Sequence, residues 1–110
     1  MGKNRYTEFQ ETYGEPGITF TELSHAVSEA GAPLPEYRIR KYAEAKGLVV
    51  DLGETSKGPR FLIKLSNVPK VIHGIGVSIN SFDLERILEA QKDSWQNQLV
   101  REVKRRKATI

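Results

Sequence analysis

The sequence predicts a mainly α protein with a small β-hairpin, an α+β class. Two helix signals meet across a three-residue connection at 32–34, and the pattern then switches to short branched and aromatic runs over 48–65. After residue 80 a long helical period takes over and holds almost to the end.

Residues 5–13 set Tyr6, Phe9 and Tyr13 at i, i+3 and i+7 and are followed by Gly14 and Pro16, which suits a short helix or a frayed arm. Thr19 with Glu22 three residues on forms a capping box, and Ile18 with Leu23 can close a hydrophobic staple around it. Leu23, Ala26, Val27 and Ala30 then share a face, and Gly31 stops that helix. The next helix spans 35–46, with Pro35 at its start and Gly47 just past its end. Ile39, Tyr42, Ala43 and the stem of Lys46 share one face; Tyr37, Arg38, Arg40, Lys41, Glu44 and Ala45 occupy the other. One face packs, and the opposite one offers cations and a ring to a partner.

Residues 48–52 and 60–65 read as antiparallel strands. In the second, Phe61, Ile63 and Leu65 fall on one side, and Arg60, Leu62 and Lys64 on the other. The polar link 53–59, which carries Thr55, Ser56 and Lys57, is too long for a two-residue turn and reads as a flap. Over 66–80, Pro69, Gly74 and Gly76 break up an apolar stretch, leaving a short helix at 69–73 and an extended piece at 77–79. The sequence around Gly74 and Gly76 lacks the third glycine of a nucleotide-binding loop. From 82 to 107 a helix extends about 39 Å at ~1.5 Å per residue. Ser81 or Asn80 caps it, Asp83 and Glu85 lie in its first turn, and Lys104, Arg105, Arg106 and Lys107 lie at its far end, an order that suits the helix dipole. Leu84, Ile87, Leu88, Gln91, Trp95 and Leu99 form its apolar stripe.

The chain therefore divides into 1–17, an arm or short helix; 18–65, two helices and a hairpin; 66–80, a connection; and 81–110, the long helix with a basic tail. The residues before 81 are too few to cover so long a stripe, so a homodimer through those six positions is expected, the rival being a helix folded back on its own domain.

Composition bounds the function classes. A length of 110 residues fits one domain with a core that needs no staples, and the absence of cysteine excludes disulfides and thiolate metal sites. The net charge of +3 neither demands nor excludes a polyanionic partner. No apolar run is long enough for a bilayer and nothing resembles a secretion signal, so a cytoplasmic protein without a membrane partner is expected. Tyr6 stands where a myristoylation signal wants Ser or Thr. His25 and His73 are the only histidines and neither has metal-ligand spacing to other ligands. No carboxylate pair stands out and no nucleophile has an evident base, so no catalytic residue, metal or cofactor is expected and the chain is not read as an enzyme. The absence of a second, ligand-sized domain argues against a small-molecule sensor.

A capped short helix, a Gly-containing turn, a basic helix and a strand-loop-strand, together 18–65, resemble a winged helix-turn-helix domain. A narrower likeness is to MerR-type regulators, on Ile39, Arg40, Lys41 and Tyr42 before Gly47 and Leu48, and on Gly76, Val77 and Ser78 ahead of 83–87. Lys41 departs from the second aromatic of that pattern, and the turn before the helix is longer. The resemblance implies binding of double-stranded DNA, with the second helix in the major groove and the loop near the minor groove or backbone. The expected contacts are Tyr37, Arg38, Arg40, Lys41, Thr55, Ser56, Lys57 and Arg60. Arginine can pair bidentately with guanine, whereas the loop hydroxyls and amides suit phosphate. The bland alternative is a solvated face balanced by Glu36 and Glu44. The basic stretch 101–107 either adds backbone contacts or is a solvated tail. The functional expectation is a dimeric, repressor-like, nucleoid-associated regulator or a plasmid or phage maintenance factor. The alternative is a protein-interaction adaptor using the same surface or the long helix.

Overall fold

The computed structural model describes residues 5–53 and 59–108, with side chains as far as Arg101. Helix accounts for 66% of the described residues and is joined by a small three-stranded antiparallel sheet, an α+β class. The order is α1 (Arg5–Tyr13), β1 (Gly17–Ile18), α2 (Phe20–Glu29), α3 (Glu36–Ala45), β2 (Val49–Asp51), β3 (Phe61–Lys64), a 3-10 turn (Leu65–Asn67), α4 (Val68–Ile75) and α5 (Ser81–Ala108).

Local chemistry explains most boundaries. Thr19 accepts from the Glu22 amide at 3.0 Å while the Glu22 carboxylate accepts from the Thr19 amide at 3.0 Å, so α2 starts on the expected capping box. Pro35 sits one residue outside α3, at the cap rather than the first turn. At the other end Gly47 takes a φ of 68°, open to glycine and strained for any other residue, and the Leu48 amide closes on the Ala43 carbonyl at 2.8 Å. That reversal turns the helix directly into β2. α4 is longer than expected, and Asn80, not Ser81, caps α5, its side chain accepting from the Asp83 amide at 2.8 Å.

β1 lies outside the sequence expectation. Gly17 and Ile18 pair with Lys64 and Ile63, while β2 pairs with the opposite edge of β3 through Val49–Ile63, Val50–Leu62 and Asp51–Phe61. β3 is thus the central strand, in the order β1-β3-β2. It also has two covered faces. Ile63 is buried in the main core with Ile18, Leu23, Val27, Ile39, Ala43 and Ile72, drawn from β1, α2, α3 and α4. Alternation places Leu62 with Arg60 and Lys64 on the side opposite Ile63, and there Leu62 is fully buried in a second core with Phe9 and Trp95. α1 and α5 cover the face that a lone hairpin would leave wet.

The same packing overturns the expected dimer stripe. Ile87, Gln91 and Trp95 are buried within the protomer, and Leu84, Leu88 and Leu99 pack against the two cores. Gln91 donates to the Gly17 carbonyl at 2.8 Å, satisfying an edge-strand group. Trp95 donates to Gln10 Oε1 at 3.0 Å and meets Tyr6 and Phe9 edge-on, with centroids 5.0 and 5.5 Å away. The first half of the α5 stripe is covered by the main core of 18–80, and the second half, at Trp95 and Leu99, by α1 and Leu62 of β3. The 1–17 segment is therefore part of the fold from Arg5 on, and no helix among the described residues is long and apolar enough to cross a membrane.

Candidate nucleic-acid interface

α3 packs by Ile39 and Ala43, both inaccessible, and by half-buried Tyr42. The Tyr42 ring lies so close to α4 that a Cβ at Gly74 would stand 1.9 Å from its hydroxyl. Only glycine lets the two helices approach this far. α2 holds the other flank, where Ser24 donates to the Leu34 carbonyl at 2.5 Å and Thr21 hydrogen-bonds Glu36. The helix is clamped along its inner side.

Its outer side is free. Tyr37, Arg38, Arg40 and Lys41 are all exposed, Tyr37 at 70%. None of Arg38, Arg40 and Lys41 has an ion pair or hydrogen bond among the described residues. Among the described residues neither Glu36, which Thr21 hydrogen-bonds, nor exposed Glu44 forms an ion pair with them. Arg40 differs from its neighbours, because its guanidinium lies 5.3 Å from the centroid of the buried Phe20 ring. That stacking limits its rotamers while leaving its donors outward. Glu36, Tyr37, Arg40, Lys41 and Glu44 border a shallow, open hollow of about 550 Å³.

No protein-family model, no curated protein and no solved structure matches the chain. Its chemistry therefore rests on its own residues.

Of the expected contacts on the hairpin, Thr55, Ser56 and Lys57 lie outside the described residues. Arg60 is half-buried and bound to Asp51, with 2.8 Å from Nε and 3.2 Å from the second nitrogen, and its guanidinium lies 4.9 Å from the Phe61 ring centroid. It braces the base of the loop rather than offering a free charge. The Arg60 bond, together with a 2.9 Å bond from the Gly53 amide, holds the Asp51 carboxyl below its ordinary range. Sequence reasoning missed this role, although an acid and a base at facing ends of a hairpin loop is a readable signal. It also missed Phe20 as a platform for Arg40, since nothing in the spacing joins positions twenty apart.

His25 pairs with Glu29 at 3.0 Å on an exposed helix face. Among the described residues no three acids or histidines gather as metal ligands.

Proposed function

We propose that the chain is a sequence-specific double-stranded DNA-binding protein of winged helix-turn-helix type, with α3 entering the major groove. One observation carries the reading: three cations, unpaired among the described residues, and a tyrosine project from the outer face of a helix immobilised along its inner face. A helix of that diameter fits the groove, and a rigid one loses little freedom on docking. The order helix, strand, helix, helix, strand, strand, with the last strand central, supports the same reading. Arg40, pre-oriented by Phe20, is assigned to a base edge, and Arg38 and Lys41 to phosphates. A promoter-occupying regulator and a plasmid or phage maintenance factor would both use this surface.

The test is selection of bound duplexes from a random pool, then anisotropy across a salt series. Binding should weaken on a log–log slope of about −0.9 for each phosphate neutralised. Arg40→Ala should cost about 1–3 kcal/mol and relax preference at one base pair, while Lys41→Ala should weaken all duplexes alike. A palindromic motif would report two copies on the site, joined through a surface other than the buried stripe of α5. If no duplex binds at low salt, or neither variant alters affinity, the proposal fails.

A further inference from the structure

We infer that the outer edge of β2 takes up an extended peptide segment of a partner protein as an added antiparallel strand, with a glutamate directed at Lys64. The inference is independent of the DNA reading.

The sheet has two edges, and the fold treats them differently. On β1, the Leu65 amide bonds to the Pro16 carbonyl at 2.9 Å, so alternation turns Ile18 towards β3 and Gly17 away from it. Gln91 of α5 closes that edge by donating to the Gly17 carbonyl at 2.8 Å. On β2, the Leu52 amide bonds to the Arg60 carbonyl at 2.9 Å, which sets the phase of the ladder. Val50 and Leu52 turn their amides and carbonyls to β3, while Val49 and Asp51 turn theirs away. Those four outward groups have no hydrogen-bond partner among the described residues, because Asp51 is engaged through its carboxylate, by Arg60 and Gly53. An edge in this state is a template for a further strand. Antiparallel addition suits it, since the residues facing Val49 and Asp51 would each exchange two bonds with them.

The side chains beside the edge specify the segment. A hollow of about 390 Å³ lies along it, bordered by 47–51, Tyr13, Lys64 and Asn67. Val50 packs on the Leu62 side of the sheet, so added residues facing Val50 and Leu48 direct their side chains to that same side. The one facing Val50 extends an apolar surface and suits a branched residue. The one facing Leu48 stands two strand spacings, about 10 Å, from the Lys64 backbone, a gap that the lysine stem and a glutamate close between them. Lys64 lies 4.6 Å from the centroid of the Tyr13 ring and has no ion pair among the described residues. A second copy paired about Val50 would bring its own Leu52 to that place, with no charge to offer.

The test uses the full chain and a phage-displayed library of random eight-residue peptides. Enriched peptides should share a branched apolar residue with glutamate two positions towards the C-terminus. Methylating the peptide amides that face Val49 and Asp51 should cut affinity at least about tenfold, and methylating the amide between them should not. Lys64→Gln should weaken the enriched peptide by up to about fivefold without weakening its glutamine analogue. On the unaltered chain, saturating peptide should slow hydrogen exchange at the Val49 and Asp51 amides. A library that enriches nothing, equal losses at all three methylated amides, or unslowed exchange at Val49 and Asp51 overturns the inference. Full affinity in Lys64→Gln removes the acidic segment as occupant. Exchange that slows with protein concentration alone gives the edge to a second copy, and the inference falls.

Discussion

Replacing Trp95 with alanine tests whether α5 belongs to its own protomer. Trp95 is 2% exposed, packs edge-on against Tyr6 and Phe9, and donates to Gln10. Truncating a buried aromatic costs about 3–5 kcal/mol, with a cavity left where the ring stood. A domain of this size holds roughly 5–15 kcal/mol in all. The loss is therefore a large share of the total, and at ~4–8 °C per kcal/mol it lowers the melting temperature by at least ~12 °C. The assay is urea unfolding followed by far-ultraviolet circular dichroism, since the only tryptophan is the one removed. It is repeated over a wide range of protein concentration, about a hundredfold, because a midpoint set by association moves with concentration. The partners of Trp95 named above lie in the same chain, so the midpoint of the unaltered protein should stay fixed. A Trp95→Ala variant within about 1 kcal/mol of the original, or a concentration dependence of the midpoint that Trp95→Ala abolishes, would show that the stripe packs against another molecule.

Gly74→Ala should destabilise by about 1–3 kcal/mol, because the added carbon meets the Tyr42 hydroxyl at 1.9 Å and its ring carbon at 2.1 Å; Tyr42→Phe in the same background should recover part of the loss in thermal melts. Thr19→Ala removes the side-chain half of the capping box and should cost about 1 kcal/mol, whereas Thr19→Ser should stay near the original stability. The Asp51 carboxyl should titrate below its ordinary value of 3.8 in carbon-detected magnetic resonance. With the folded pKa depressed, the stabilisation is complete above the unfolded value and is lost as pH falls through the folded one, so the hairpin loosens only in acid below about pH 4. Arg60→Gln should return that midpoint to the ordinary range; a midpoint already at or above 3.8 in the unaltered chain would contradict the bond.

Legibility followed the range of the interaction. Capping at Thr19, the inner face of α3 and the two-strand hairpin depend on neighbours within a few positions, and each is readable from spacing alone. β1 is two residues long and exists only because β3 offers an edge; Gly17 and Ile18 carry no strand pattern of their own. Alternation sets Leu62 beside Arg60 and Lys64, and the helical period sets Trp95 on the stripe expected to meet a second copy, because both periods tell which residues share a side, never what covers it. The exposure of Arg38, Arg40 and Lys41 agrees with the helical wheel, while the engagement of Arg60 by Asp51 does not follow from any period. Long-range closure, here α1 and α5 against the sheet, is where single-sequence reasoning loses its hold.

The two cores meet at one four-residue strand, with Ile63 turned to one and Leu62 to the other. Excising 18–65 as a minimal reader would strip Phe9 and Trp95 from Leu62 and bare an oily wall along the hairpin. Such a fragment should clump rather than dissolve. Any shortened version meant for binding work has to keep both ends of the chain, at least from Arg5 to Leu99, because the helix assigned to the groove stands on a partition that is dry on both sides.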